Sequence, residues 1–446
     1  MMNDNAPRQQ IFRRDFVRGA TAAAAVSALA AAPHVNAAAD SPAPLVVGFI
    51  GCGGMGTNHL RQLTQRKDIR LAYVCDVDAN RLASAAKLVE TSGHGKPQAV
   101  KDLRDVLKDK TVDAVWIATP DHWHSPAAIL AVEAKKHVYV EKPVSHNVRE
   151  GRLLLEAARK HKMVVQVGTQ ARSTPFIREA IDLLRSGIIG DVLVAKAWNS
   201  QLRRSIGHHS PSQPPAELDF ELWQGPAPER PFQANLLPGI WRFWYDYGVG
   251  DIGNDGVHEL DIARWGLGVT THPSTIAGLG SKFFFDDDQQ FPDNQYCAFE
   301  WPGDGKVGNK RQLIYEQRDW SPYVQEGFEN GNAFYGTQGL MLLGKGVGYK
   351  VFGPRNKLLK EGTGRFDLPA HHQNFLDCVR SGNRPHADVE EGHLSASLAH
   401  LANIACRERR TLAFDPSREA FAEGELSPAW LTRKYRPGHW AVPPGA

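Results

Sequence analysis

Cysteine is scarce. The chain has five in 446 residues (Cys52, Cys75, Cys297, Cys378 and Cys406), scattered and with no CxxC pair. That excludes a disulfide framework and a cysteine-rich zinc module, and reduced, buried thiols are expected. Neither sign of charge dominates. With 52 basic and 49 acidic residues the net charge is +3, so there is no broad cationic field to hold nucleic acid. Past the first forty residues no run of 18 consecutive apolar residues occurs, so no helical membrane span is expected in the mature chain. No internal repeat is apparent. What remains is an ordinary globular composition, 42% hydrophobic and 23% charged. By length it fills about two to three domains.

The first 39 residues read as an address. Arg13 and Arg14 precede Phe16. An Ala-rich run follows from Gly19 to Ala32, and small residues then offer cleavage after Ala37 or Ala39. This is the layout of a twin-arginine signal peptide, and it predicts export to the periplasm or another extracytoplasmic space. Residues 40–168, 169–370 and 371–446 then form a nucleotide-binding domain, a substrate domain, and closing helices with a tail.

Leu45 to Ile50 (LVVGFI) reads as a buried strand of the parallel kind. Directly after it, Gly51, Cys52, Gly53, Gly54, Met55 and Gly56 match GxGxxG, and a helix can follow. A second strand ends at Asp76, 25 residues after Gly51. Gly51 permits a tight turn, Gly53 lets backbone approach a pyrophosphate, and Gly56 lets the helix pack on the strand. The helix N-terminus offers N–H groups to phosphates. Asp76 can accept hydrogen bonds from both ribose hydroxyls, which favours NAD over NADP, while Arg81 is near enough to meet a 2′-phosphate. Strand and helix patterns continue to alternate, with helices expected at Ala79–Val89, Pro126–Ala134 (Ser125 as its N-cap) and Asn147–His161. The half is therefore an α/β, doubly wound parallel sheet. Ligands bind such sheets beyond the strand C-termini. That points to Thr119 through His124, to Glu141 through Pro143, and to Gly168 through Arg172.

The glycine turn, Ala118-Thr119-Pro120-Asp121-His122-Trp123-His124 and Glu141-Lys142-Pro143 together resemble the Gfo/Idh/MocA family, that of glucose–fructose oxidoreductase and inositol dehydrogenase. The resemblance implies that Thr119, Pro120 and His124 lie along the cofactor and that Glu141 contacts the nicotinamide-side ribose. It implies that Lys142 hydrogen-bonds both cofactor and substrate in a proton relay. The family pattern of Asp, three residues, His, then Asp three further on is met by His258 and Asp261, with Asn254 in the first place. His258 is then the acid/base residue. An imidazole titrates near neutrality and can take a hydroxyl proton, whereas the Asn254 amide binds a hydroxyl but takes no proton. Asp251 or Asp255 is the candidate to supply the missing carboxylate. Gln170 and Arg172 are candidates to line the substrate pocket.

Beyond Asp191 short β runs alternate with Gly/Pro-rich connections, predicting an α+β domain with a large, mostly antiparallel open sheet. The resemblance implies a homo-oligomer, dimer or tetramer, through that open face. Trp241, Arg242, Trp244, Tyr245 and Tyr247 could stack on a sugar or simply fill a core. His122/His124, His208/His209 and His371/His372 lack ligands at metal spacing, so no metal is expected. The implied activity moves a hydride between a sugar or polyol hydroxyl carbon and a tightly held NAD. One alternative, an NAD-dependent redox-neutral glycosidase, needs the same Lys142, His258 and NAD; against another, a non-catalytic sugar- or nucleotide-binding protein, stand the intact Glu141-Lys142-Pro143 and His258.

Overall fold

The computed structural model describes residues 43–446. The expected signal peptide, with Arg13 and Arg14, lies outside the described residues. The first half runs β1 (Leu45–Ile50), α1 (Gly54–Leu63), β2 (Ile69–Cys75), α2 (Ala79–Thr91), β3 (Gln98–Val100), α3 (Leu103–Lys108), β4 (Ala114–Ile117), α4 (Asp121–Glu133), β5 (His137–Val140), α5 (Val148–His161) and β6 (Val165–Val167). The strands make one sheet in the order β3-β2-β1-β4-β5-β6, every pair parallel. That is the doubly wound order, whose ligand crevice opens at the C-terminal ends of β1 and β4. Both faces are covered, so β1 and β4 are apolar throughout their buried lengths.

Helix α4 begins five residues earlier than expected, at Asp121 after Pro120, and Pro126 falls inside it. Pro126 has no N–H to give the carbonyl of His122. Arg433, from the far end of the chain, donates to that carbonyl instead, at 2.8 Å. The interior proline is tolerated because the C-terminal tail satisfies the group it strands. Helix α5 follows simpler rules. The Asn147 side chain accepts from Glu150 N–H at 2.9 Å as its N-cap, and Leu154, Leu155 and Ala158 form its buried stripe.

The second half contains α6 (Pro175–Arg185), β7 (Val192–Ser200), α7 (Phe220–Gln224), α8 (Val257–Leu267), β8 (Thr275–Ser281), β9 (Asn294–Trp301), β10 (Arg311–Arg318), β11 (Asn330–Gly336), β12 (Leu340–Gly344), β13 (Gly348–Phe352), β14 (Leu358–Thr363), α9 (Leu368–Ser381), α10 (Val389–Glu408), β15 (Leu412–Asp415) and β16 (Ala420–Phe421). Ten strands form one sheet, ordered β14-β13-β12-β11-β7-β10-β9-β8-β15-β16. All neighbours are antiparallel except β7 and β10. In β9, Gln295, Cys297, Phe299 and Trp301 are buried, while Tyr296 and Glu300 are exposed. Period-two alternation thus gives the sheet one face on α6, α8 and α10 and one open face.

The closing helices do not make a separate layer. Phe375, Leu376 and Cys378 of α9 complete the apolar core on one face of the first sheet, with Val47, Phe49 and Trp116. All five thiols are free and buried.

Candidate active site

A single cavity of about 990 Å³ runs along the crevice of the first sheet and on toward the second domain. The glycine turn lines one end. Gly51 has φ +91°, and a Cβ there would stand 2.6 Å from the Ala118 backbone. A Cβ at Gly56 would overlap the Gly51 carbonyl. At Gly53 a Cβ would meet only the Arg81 guanidinium, at 3.2 Å, and at Gly54 nothing within 4 Å. The turn is therefore tight behind and open toward the cavity, as a phosphate cradle at a helix N-terminus must be. Asp76 accepts from Cys52 N–H at 2.6 Å and Asp78 N–H at 2.9 Å, and it lines the cavity. Burial pushes its carboxyl up, against those two N–H groups. Arg81 lines the same end, 3.6 Å from Asp78. Met55, Thr119, Pro120 and His124 border the middle. His124 is fully used, with its nitrogens on the Pro143 and Thr119 carbonyls at 2.6 and 2.9 Å. Its role is to hold those two loops together. Thr119 Oγ1 is buried with no hydrogen-bond partner, which a cofactor hydroxyl or amide would supply.

Glu141 is nearly buried. It accepts from His59 at 2.9 Å and from the Gln170 amide at 3.0 Å. Burial pushes its carboxyl up, but His59 and Lys142 outweigh that and hold it below the usual range. Gln170, expected to touch substrate, also donates toward Tyr139. It lines the cavity but spends its amide on positioning Glu141.

The reacting end gathers residues far apart in sequence. Lys142 donates from Nζ to the Asn254 carbonyl. Asn254, Asp255 and His258 all line the cavity. The turn that carries Asn254 and Asp255, Ile252–Gly256, is π-wound, and α8, which carries His258, continues from it. Four residues apart, Asn254 and His258 would share one face of an ordinary helical turn. The i→i+5 winding widens the turn and brings Asp255 to the cavity as well. Gly256 is required there, because a Cβ would run into the Tyr315 hydroxyl. Arg203 bridges Asp251 and Asp255, and the Asn254 amide donates to Asp251 at 3.2 Å. Asp251 and Asp255 do stand in the neighbourhood that Asn254 leaves without a carboxylate.

His258 is buried, with Phe366 edge-on to its ring at 6.0 Å. Its Nδ1 has no hydrogen-bond partner. Burial pushes the imidazole well below its usual value, and Lys345 and Lys142 add to this. At neutral pH it is uncharged and able to take a proton. Asp255 is held well below the carboxylate range: burial opposes, but Lys142, Lys345 and Arg203 prevail.

One expectation fails. Arg172 does not line the cavity. It is buried against Asp261, with contacts of 2.9 to 3.0 Å, and Glu391 at 3.0 Å. Ser395 and Arg264 close the same cluster. Its position after a strand C-terminus pointed to the crevice, but the acid of α8 that shares the His258 face draws it inward. Of the aromatic run, Trp241 and Arg242 line the cavity, whereas Trp244 and Tyr247 fill a core. His208 pairs with Asp286 and Asp288 on the surface. His59 joins His372 to Glu141, and His371 holds Ser173 at 2.7 Å.

Sequence reading missed the roof. Residues 201–247 leave the second sheet and return to the first domain, where Asp78 and Leu218 form a β-bridge next to Asp76. Ala79 N–H donates to the Glu217 carbonyl at 3.0 Å, and Asp219 N–H to the Val77 carbonyl at 2.9 Å. Leu222, Trp223, Leu237 and Pro238 from this strap, with Trp440 from the tail, complete the cavity wall. The Pro-rich run from 210 to 238 gave no strand or helix period by which to place it. Lys345 and Arg203 were also missed, since a lone cation in a loop carries no spacing signal.

Residues 45–169 match the model of the Gfo/Idh/MocA oxidoreductase family's NAD-binding Rossmann fold, and residues 197–441 that of its C-terminal alpha/beta domain. An uncharacterized oxidoreductase of Bacillus subtilis is 33% identical over 33% of this chain and 41% of its own length. Inositol 2-dehydrogenase 2 of Saccharopolyspora erythraea is 32% identical over 54% and 60%. A glycosyl hydrolase family 109 protein of Shewanella pealeana is 30% identical over 42% and 45%. The chain thus spans about half the length of these relatives. A levoglucosan dehydrogenase in complex with NADH and levoglucosan shares the fold, with a TM-score of 0.63 at 19% identity over 83% of this chain and 99% of that one. So does the WlbA dehydrogenase of Bordetella pertussis in complex with NADH and UDP-GlcNAcA, at 0.61 and 17% over 83% and 99%. With both domain models matched end to end around the crevice, the chain belongs to the Gfo/Idh/MocA family of oxidoreductases, and its first domain is an NAD-binding Rossmann domain.

Proposed function

We propose that the protein is an exported oxidoreductase that moves a hydride between a hydroxyl-bearing carbon of a sugar or polyol and a retained NAD. The observation that carries this is the convergence of Lys142 and His258 on one cavity with the glycine turn and Asp76. Gly51 through Gly56 and Asp76 would hold the dinucleotide, with Thr119, Pro120 and Glu141 toward its nicotinamide end. A dinucleotide bound there would supply the hydride acceptor and donor. His258, neutral and desolvated, takes the hydroxyl proton in the forward direction and gives it back in reverse. Lys142 stabilises the developing alkoxide as a fixed ammonium. The Asn254 amide orients the hydroxyl without moving a proton. Asp76 supports NAD over NADP, since a 2′-phosphate would meet its charge.

Three observations support retention, export and assembly. Residues of the 201–247 strap and Trp440 add walls to the cavity beyond the sheet crevice, which supports a tightly held dinucleotide. The Arg13-Arg14 leader supports twin-arginine export, a route that carries folded cargo. The open face of the ten-stranded sheet, with Leu279 73% and Tyr296 45% exposed, supports a homo-oligomer. A redox-neutral glycosidase is the second reading. It is favoured by the family 109 relative and by a walled cofactor that would be oxidised and restored on one substrate.

The test uses mature protein purified without added nucleotide. Denaturation should release about one NAD per chain, identified by mass. Release of NADP would overturn the assignment to Asp76, and release of no dinucleotide would overturn retention. A keto-sugar or lactone product separates the oxidoreductase from the glycosidase, which would give a cleaved glycoside. Full turnover in both Lys142→Ala and His258→Ala would leave only a binding protein.

A further inference from the structure

The hairpin between β12 and β13 has Lys345 at its tip, between Gly344 and Gly346. The tip borders the reacting end of the cavity, with His258, Asp255 and Phe366. The ammonium stands 2.8 Å from Glu259 Oε1. Glu259 directly follows His258, is fully buried, and its Oε2 has no hydrogen-bond partner. Among the described residues Lys345 has no other ion-pair or hydrogen-bond partner. Arg242 borders the same cavity, and its buried Nε is also without a partner.

The other cations at this end are spoken for. Arg203 is neutralised by Asp251 and Asp255, and Lys142 is held by the Asn254 carbonyl. A structural role for Lys345, as partner to a buried carboxylate, is the plain alternative. Such a pair would keep Glu259 ionised and satisfy both its oxygens. Here one oxygen is bare, and burial pushes the Glu259 carboxyl up to about 7 despite Lys345. Near neutrality Glu259 carries less than a full charge, and Asp255, the other carboxylate that feels Lys345, is bound by Arg203, so Lys345 shares its counter-charges with other cations where it borders the cavity. A half-buried ammonium in a cavity wall can donate charge-assisted hydrogen bonds to a ligand anion.

Resting on the sugar-oxidoreductase reading, we infer that the substrate is an acidic sugar whose carboxylate is received by Lys345, with Arg242, whose Nε has no hydrogen-bond partner among the described residues, as a second cation bordering the cavity. Lys345 is then the residue that separates a sugar acid from its neutral counterpart. One ammonium matches a monoanion, which favours a carboxylate over a phosphate ester. The bound carboxylate would also offset part of the field that keeps His258 uncharged, so that His258 becomes a stronger base once the substrate is in place.

The experiment mixes the NAD-loaded full chain with D-glucuronate, D-glucose or D-glucose 6-phosphate. It follows binding by saturation-transfer NMR and cofactor reduction at 340 nm. Glucuronate is expected to bind at least tenfold more tightly than glucose. Lys345→Met should lower the glucuronate-to-glucose affinity ratio at least tenfold, while Lys345→Arg restores most of it. Because Lys345→Met strips Glu259 of its cation, the double variant with Glu259→Gln is measured beside it and should lose the same selectivity. Equal binding of glucuronate and glucose, or a ratio unmoved in Lys345→Met, overturns the inference and leaves the oxidoreductase reading intact. Preference for glucose 6-phosphate overturns the carboxylate. Binding of glucuronate through Lys345 with no cofactor reduction by any of the sugars would keep the anion site and sink the oxidoreductase reading.

Discussion

Two regions of the molecule are rich in charge and use it in opposite ways. Beneath the second sheet, Arg172, Asp261, Arg264 and Glu391 form a closed cluster in which each cation meets a carboxylate and Ser395 links two of the members. At the reacting end of the cavity, Lys345 faces an acid whose carboxyl burial pushes up to about 7, and Arg242 Nε has no hydrogen-bond partner among the described residues. The first arrangement is complete without a ligand. The second is complete only with one. Sequence cannot separate them, because Arg172 and Lys142 both follow strand C-termini of the same sheet. What separates them is whether an acid from another element reaches the cation first.

The largest effect expected from this contrast is on turnover. Lys142→Ala should lower kcat by about a thousandfold or more, with the melting temperature nearly unchanged. Arg172→Ala should do the reverse. Stripping the buried Asp261 of its closest cation, with only Ser395 and the more distant Arg264 left, costs about 3 kcal/mol, read as a lower urea midpoint, while the dinucleotide content of the surviving folded protein stays near the parent's. A loss of kcat in Arg172→Ala without a loss of stability would break the comparison.

Acid should sharpen it. Burial holds His122 and His400 at about 3 and His371 at about 4, far below their values in an unfolded chain. The unfolded chain therefore binds protons that the native state refuses. The stability from this source is whole above about pH 6.5 and falls as pH drops toward 4, each histidine contributing up to about 1.4 kcal/mol per pH unit. Asp121 and Glu259 act oppositely. Burial raises them to about 6 and about 7, so the native state binds their protons first and stability falls as pH rises through that range. A urea series from pH 4 to 7.5 should show a maximum near pH 6. Glu259→Gln should flatten its high-pH side.

The smallest effect tests a compensation. Pro126→Ala restores a helical N–H beneath a carbonyl that Arg433 already satisfies, so stability should change by less than about 1 kcal/mol. A gain well above that would mean the Arg433 contact is weak in solution.

Much of this was legible in the residues. LVVGFI, the glycine turn and Asp76 follow directly from strand patterning and turn sterics, and α5 runs from Val148 to His161, within one residue of the helix expected there. His258 and Lys142 were legible because their motifs are local. Three features were not. The start of α4 was misplaced because Pro126 reads as a first-turn proline unless the distant Arg433 is known. The β11–β14 strands were lost among glycines and exposed polar residues. Lys345 and the 201–247 strap depend on long-range closure, which leaves no period in the chain.

Helix α9 has a consequence for how the protein is made. Phe375 and Leu376 fill the core of a sheet whose last strand ends at Val167, and His372 braces His59 on α1. The nucleotide-binding domain therefore cannot finish its core when its own residues leave the ribosome. It waits for some two hundred more, including the whole ten-stranded sheet, whose central β7–β10 pairing also joins distant segments. A nascent chain stalled before residue 368 should expose Trp116 and Tyr139, a ready target for holding chaperones. The finished domain is in this sense assembled from both ends of the message.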